Sequence, residues 1–406
     1  MLIGRKLARK LSLSTKPNID PSKTPRVLQV IPELDAGGAE RSAVDVARGI
    51  VEIGGLALVA TRGGRLAGEV EACGGKVIPL SVHSKNPLTI LANIVRLRRI
   101  IRDHDIEIVH VRSRAPAWSA LPAARLSGIP FVTTYHGTYQ AKSALKRLYN
   151  SGMARGDVVI ANSDFIGERI RSEHKGLARH LVVIPRGTDL KTHNPRTIGA
   201  DRLNKLRTDW GLEGETRPIA LLPGRLTSWK GQAVMIEAIA RLVGEGTPDF
   251  LTILAGDPQG RDDYVKGLWD AIERHDLSDR VRMVGHCSDM PAAYALSDFV
   301  ISASTEPEAF GRVAVEAQAM ERFIIATDHG GSEETVIDEG PDRTGKRIPP
   351  SDAEALARAI SEVLTLQAEE LKAIGKRGRE NARQFSVEAM VASTLKVYDD
   401  LLKERI

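Results

Sequence analysis

Cysteine is nearly absent from this sequence. Cys73 and Cys287 are the only two in 406 residues, and they lie far apart. That excludes a disulfide framework and a paired metal-ligand spacing, and it fits a reducing, cytoplasmic setting. Long apolar runs are missing too. No stretch approaches the roughly 20 residues that cross a bilayer, and the N-terminus lacks the apolar segment of a secretory signal. Imbalance of charge is confined to one end. Residues 1–24 hold six cations and one acid, whereas the other 382 residues hold 51 of each sign. A nucleic-acid footprint on the body is therefore not expected. Trp118, Trp210, Trp229 and Trp269 are also too dispersed for a base-stacking platform.

What is present is the composition of a folded protein: 42% apolar and 27% charged residues, in a length that suggests two or three domains. On a helix, Ile3, Leu7 and Leu11 form one stripe, and Arg5, Lys6, Arg9 and Lys10 cover the other side. Such a leader either lies on an anionic membrane surface or stays a disordered basic tail, with a transit peptide as a third reading.

From Pro25 onward, short apolar runs alternate with helical patterns. Strands are expected at 26–31, 56–60, 76–79, 106–111, 130–134, 157–161 and 181–184, with helices such as 87–103 and 141–155 between them. A polar stretch at 191–217 precedes a second series, with strands at 218–222, 250–255, 280–284, 298–302 and 322–326. The expected organisation is a leader at 1–24, a first domain at 25–190, a second at 191–385, and a last helical stretch at 386–406. Alternation of this kind implies parallel sheets with crossovers, that is, two doubly wound α/β domains with a cleft between them. Ligands bind such sheets at the carboxyl ends of strands.

Four strand ends carry chemistry. After 298–302 comes Pro307-Glu308-Ala309-Phe310-Gly311-Arg312-Val313-Ala314-Val315-Glu316. A helix starting near Gly311 offers free N–H groups to a phosphate. Glu316 is placed to take the hydroxyls of a ribose and Glu308 to face a sugar; the plain alternative is two solvated glutamates. After 218–222 comes Gly224-Arg225-Leu226-Thr227-Ser228-Trp229-Lys230-Gly231. Its Arg and Lys suit phosphate oxygens, or else are surface cations on a turn. Gly37-Gly38 after the first strand lets a loop pass close to phosphate or sugar, or is only a tight turn. His136-Gly137 after 131–134 places an imidazole to donate to a sugar hydroxyl or take a proton. His110 is a weaker candidate of the same kind.

Together these residues resemble the retaining glycosyltransferases with two Rossmann-like domains, family 4, of GT-B architecture. The resemblance runs over about residues 26–400. Its most specific piece is Glu308 to Glu316, similar to that family's E-x7-E motif. Asp328-His329-Gly330-Gly331-Ser332-Glu333-Glu334 resembles the loop that closes the donor site, and Gly345-Lys346 then Pro349-Pro350 the usual exit before the next helix.

The resemblance implies a sugar transfer from a nucleoside-diphosphate sugar to a saccharide or lipid-linked acceptor, in envelope polysaccharide or lipopolysaccharide synthesis. It implies that Arg225 and Lys230 neutralise the leaving diphosphate, with no metal and no other cofactor. Glu308 and His136 would act at the sugar. Gly37, Gly38, Phe310, Gly311 and Glu316 would complete the donor site, and the first domain would hold the acceptor. The final helix would cross back to the first domain. Membrane contact through residues 1–24 would place the protein at the inner face of the membrane. The alternatives are an epimerase or phosphorylase of the same architecture, and a sugar-nucleotide-binding module without catalysis. Two positions depart from the family: Ala309 stands where glycine is common, and Glu321-Arg322-Phe323 where a Gly-x-Pro turn is usual.

Other motifs do not hold. Gly340 to Lys346 lacks the Ser or Thr of a phosphate loop, and Asp103-His104-Asp105 precedes a strand, so it reads as a helix-end turn rather than a metal site.

Overall fold

The structure is a computed structural model, and it describes residues 24–404 with the exception of Ala36, Gln140 and Lys142. Apart from Thr24, the basic leader lies outside the described residues.

The first half alternates strand and helix: β1 (Arg26–Val30), α1 (Gly38–Glu52), β2 (Leu56–Thr61), α2 (Ala67–Ala72), β3 (Lys76–Pro79) and α3 (Pro87–Asp103). It continues with β4 (Ile108–Val111), α4 (Arg114–Leu126), β5 (Phe131–Tyr135), α5 (Ala144–Ser151), β6 (Val158–Ala161), α6 (Asp164–Glu173) and β7 (Leu181–Val183). The second half begins with α7 (Ala200–Asp209), β8 (Ile219–Pro223), α8 (Gln232–Gly244), β9 (Leu251–Ala255), α9 (Asp262–Arg274) and β10 (Val281–Gly285). Then follow α10 (Met290–Leu296), β11 (Phe299–Ser302), α11 (Arg312–Ala319), β12 (Phe323–Thr327), α12 (Ser332–Thr335) and β13 (Gly345–Ile348). Three helices close the chain: α13 (Ala353–Thr365), α14 (Ala368–Ala382) and α15 (Val387–Lys403).

The strands form two parallel sheets, ordered β3-β2-β1-β4-β5-β6-β7 and β10-β9-β8-β11-β12-β13. Parallel pairing needs crossover helices, which cover both faces and leave the central strands buried. β8, for example, is buried along its whole length. Each sheet has a core on either face: Leu28, Phe131 and Ile166 on one side of the first, Val44, Ile108 and Leu395 on the other. Strand order reverses between β1 and β4, and again between β8 and β11. The loops after these strands open the crevices where such sheets take ligands.

The last helix, α15, leaves the second sheet and packs on α1, placing Met390, Leu395 and Tyr398 in the first domain's core. Tyr398 Oη lies 2.6 Å from His110 Nδ1, and His110 Nε2 lies 2.7 Å from Thr134 Oγ1. His110 is thus a satisfied core residue, which removes it as a candidate for chemistry.

Two local expectations change, and a third holds. The helical pattern over 141–155 resolves into α5 and a 3-10 turn, Gly152–Arg155, because Gly152 must pass close to the Trp118 indole. Gly345–Ile348, expected as an exit loop, is the edge strand β13. Lys346 and Arg347 hide it, because only one of its edges is paired. Asp103-His104-Asp105 ends α3, with Asp105 left-handed at φ 46°. No helix among the described residues is long and apolar enough to cross a membrane.

Candidate active site

The second-domain residues converge at the β8/β11 crevice. Thr227 leads into a 3-10 turn, Ser228–Lys230, that ends in left-handed Gly231 (φ 79°). A Cβ on Gly231 would sit 1.9 Å from the Ala303 carbonyl oxygen, so only glycine lets this turn lie against the end of β11. That contact brings Lys230 Nζ to 2.7 Å from Glu308 Oε1. Ser304 Oγ donates to the same oxygen at 2.6 Å. Lys230 also lies 4.5 Å from the centre of the Trp229 ring. Burial raises the Glu308 pKa, but Lys230 and Ser304 outweigh it, and the carboxyl is held below its usual range. Glu308 is therefore an anion that cannot give up its charge without losing two partners.

Glu316 lies one turn into α11, whose N-cap is left-handed Gly311 (φ 77°). It too is buried, at 7% exposure. Tyr294 Oη donates to it at 2.8 Å, and Arg312, one helical turn earlier, donates through Nη2 at 2.6 Å. Burial pushes the Glu316 carboxyl up, yet Arg312, His193 and Tyr294 hold it down. Neither glutamate is the solvated residue of the plain alternative. Phe310 is buried at 3% exposure and meets Phe385 edge-on. Arg225 stands apart: it is exposed and has no ion pair among the described residues. Its carbonyl oxygen instead accepts from Gln232 Nε2 at 3.0 Å.

The loop after β12 folds over this cluster. Gly331 N donates to the Glu308 carbonyl at 2.9 Å. Side chains on Gly330 or Gly331 would strike the backbone of Glu308 or Phe310. His329 lies within electrostatic reach of Glu308, and both its ring nitrogens are buried without a partner among the described residues.

Across the cleft, the space above Gly38 is filled. A Cβ there would be 2.5 Å from the guanidinium carbon of Arg186, so the glycine makes room for an arginine from the loop after β7. Arg186 Nη2 lies 3.3 Å from His136 Nδ1. A guanidinium only donates, so Nδ1 accepts and the ring proton sits on Nε2. Burial, then Arg186 and Arg112, push the His136 pKa far down. His136 is therefore neutral, and it presents a hydrogen-bond donor rather than a base. Burial and the nearby Arg312 lower Arg186 to about 10, while Glu40 and Glu316 pull the other way. A first-domain cation thus stands within electrostatic reach of the second domain's Arg312 and Glu316. Sequence reading passed over Arg186 because it opens the connector. Its signal was the one that marked Arg225: a Pro-Arg or Gly-Arg step just past a strand.

Beneath these groups lies a pocket lined by Arg112, His136, Asn162 and Arg186. Arg112 Nη2, His136 Nε2, Arg186 Nε and both Asn162 amide atoms have no partner among the described residues. Buried polar atoms of this kind are normally satisfied by solvent or ligand, and the free space here is of the order of one water.

The two domains touch directly. Ser163 Oγ donates to the Ala309 carbonyl at 2.5 Å, and Glu334 accepts from the N–H groups of Asp164 and Phe165 at 2.8 Å each. Glu334 of the second domain thus caps α6 of the first, where a helix favours an anion. Among the described residues no group of three or more His, Cys, Asp or Glu side chains is placed to hold a metal.

Comparison with known proteins matches this arrangement. Residues 36–192 match the model of Glycosyltransferase Family 4, and residues 208–381 that of Glycosyl transferases group 1. A glycosyltransferase from Rickettsia africae is 34% identical and superposes with a TM-score of 0.85, over 94% of this chain and 99% of that one. HepE of Anabaena in complex with UDP-glucose is 25% identical, with a TM-score of 0.75, over 92% of this chain and 99% of that one. The GDP-mannose-dependent alpha-(1-6)-phosphatidylinositol monomannoside mannosyltransferase of Mycobacterium tuberculosis is 29% identical, over 70% of this chain and 74% of its own length. Spore coat protein SA of Bacillus subtilis is 27% identical, over 72% and 78%. With two facing Rossmann-like domains, paired glutamates at the start of α11 and both family models spanning its two halves, the chain belongs to glycosyltransferase family 4, of GT-B architecture, and is a glycosyltransferase.

Proposed function

We propose that the protein transfers a sugar, with retention of anomeric configuration, from a nucleoside-diphosphate sugar to a saccharide or lipid-linked acceptor in cell-envelope synthesis. The observation that carries this reading is the Lys230–Glu308–Ser304 cluster beside the N-terminus of α11, with Glu316 one turn further on. The α11 N-terminus and the cations Lys230 and Arg225 receive the diphosphate, and Arg186 closes on it from the first domain. Glu316 takes the ribose hydroxyls, exchanging bonds now made to Arg312 and Tyr294. Glu308, held ionised, stabilises positive charge at the sugar's anomeric carbon as the bond to the leaving oxygen breaks. His136 donates through Nε2 to a sugar hydroxyl. The acceptor oxygen bonds from the face that the diphosphate leaves, and its proton passes to a departing phosphate oxygen. Protein cations carry the charge of the leaving group, so no metal is required.

The relatives named above support the substrate classes: one is named for GDP-mannose and phosphatidylinositol monomannoside, another was solved with UDP-glucose. We place the reaction in the cytoplasm, with residues 1–24 contributing contact to the inner face of the membrane. A panel of nucleotide sugars, read by donor hydrolysis and thermal stabilisation, identifies the donor. With that donor, Glu316→Ala and Lys230→Ala each lower kcat/KM by about 1.5–3 kcal/mol, one charged hydrogen bond. Wild-type turnover in both variants would overturn the assignment.

A further inference from the structure

The folded body is neutral overall, but it is not evenly charged. Residues 72–156 contain 13 cations and only three acids: Asp103, Asp105 and Glu107. The same segment holds six of the eight exposed large apolar side chains among the described residues. Three of them, Leu88 (75% exposed), Leu91 (59%) and Val95 (69%), stand at helical spacing on one face of α3. Two more, Leu145 (77%) and Leu148 (52%), stand together on α5. Isolated exposed leucines need no explanation, but groups of them on two helices of one domain do.

The turn that leads into α3 approaches α5 at Tyr149. Lys85, just before α3, lies 5.9 Å from the Tyr149 ring, and Lys146 of α5 lies 5.6 Å from it. Around the leucines stand Arg96, Arg98, Arg99 and Arg147, all exposed and none in an ion pair among the described residues. Of the three acids in this segment, Asp103 pairs with Arg102 and Glu107 accepts from Arg26 N, so neither is bonded to these arginines. Apolar side chains flanked by unpaired cations match the two layers of an anionic bilayer surface: acyl boundary below, phosphate headgroups above. A protein partner of the same shape would leave these arginines to find several acids, and a second copy of this face would oppose cation to cation.

The face also adjoins the cleft. Asn150, in the last turn of α5, donates to the Tyr139 carbonyl at 3.0 Å and accepts from Arg114 at 3.1 Å, fixing the loop that follows His136. We propose that α3 and α5 form a docking face for anionic lipid bilayers, distinct from the leader at residues 1–24, and that it sets the first domain's side of the cleft against the membrane. A lipid-borne acceptor then reaches the site without leaving the bilayer. The docking itself does not depend on the acceptor's identity or on the donor-site reading.

The test is vesicle flotation of the full chain, with phosphatidylglycerol–phosphatidylcholine vesicles against pure phosphatidylcholine. Residues 1–23 remain in every variant, so their contribution is constant. One variant carries Leu88→Ser, Leu91→Ser and Val95→Ser; a second carries Arg96→Glu, Arg98→Glu and Arg99→Glu; a third carries Leu145→Ser and Leu148→Ser. All these positions are exposed, and soluble donor hydrolysis, which uses none of them, reports that each variant is folded. The wild type floats with the anionic vesicles and releases at high salt, and each variant binds about tenfold more weakly or worse. Unchanged binding by the variants, equal binding to neutral vesicles, or a dimer in solution that the same substitutions dissolve would each overturn the proposal.

Discussion

Replacing Lys230 by methionine tests the centre of the site. The variant keeps the aliphatic stem and removes the charge. Glu308 is then left buried with one hydroxyl, from Ser304, where it now has a cation at 2.7 Å as well. The two side chains are only 12% and 14% exposed, so solvent cannot replace the lost partner. Removing one member of a buried pair costs about 3–5 kcal/mol, most of it from the charge left behind. The pH dependence follows from the same groups. In the wild type, the Glu308 pKa lies below its ordinary 4.5, so the pair stabilises the fold above that value. This contribution is lost as pH falls through the lowered folded value. In the variant only the Ser304 hydroxyl and nearby His329 still oppose burial, and the folded pKa rises above its wild-type value, past the unfolded one. The penalty is then full at pH 8 and shrinks as the carboxyl protonates toward pH 5. Urea denaturation at the two pH values should show a wide gap from wild type at pH 8 and a narrow one at pH 5. Adding Glu308→Gln to the variant removes the stranded charge and recovers most of the stability, but no activity. A gap under about 1 kcal/mol at pH 8, or a double variant no more stable than the single one, would refute the reasoning.

Other outcomes follow from neighbouring groups. Because burial and Arg186 keep His136 neutral, NMR titration should show no His136 ionisation between pH 6 and 8, and Arg186→Ala should move its pKa upward. Glu321 is left-handed at φ 58°, a conformation that costs side chains about 1–2 kcal/mol. Glu321→Val should therefore be less stable than Glu321→Gly by about that amount or more in thermal melts. Glu334→Ala removes both bonds to the N-terminus of α6. It should raise the donor KM by about tenfold or more, with a larger radius of gyration in solution scattering, while leaving each domain's melting intact.

Much of the second domain was readable because its chemistry is local. Lys230 and Glu308 each lie in the loop just after a strand, Glu316 lies on the helix that follows the same loop as Glu308, and a parallel sheet gathers strand ends at one edge. At Glu321 the sequence showed only a departure from the usual Gly-x-Pro turn, and the left-handed backbone there, at φ 58°, is seen only in the structure. Tyr294 was not readable, since Met290–Leu296 looks like any apolar helix until its hydroxyl is found 2.8 Å from Glu316. Arg186 and Glu334 were hidden for another reason. Each acts on the opposite domain, Glu334 across 170 positions, and no periodicity reports which strand end faces which. The exposed leucines of α3 fit an ordinary amphipathic pattern, and only their exposure shows that the stripe is wider than the core behind it.

The chain passes between the domains twice, near Thr188 and near Ser386, and the two passages are stitched together. Thr188 N donates to the Phe385 carbonyl at 2.8 Å, and Val387 N to the Thr188 carbonyl at 3.1 Å. Gly187 lies so close to Val387 that a Cβ would sit 2.6 Å from its Cα. The first domain is therefore not a contiguous piece of the gene product. A fragment ending at residue 190 would present α1 bare, with His110 facing solvent in place of Tyr398. Producing that half alone would require rewiring the chain so that its closing helix is spliced onto it.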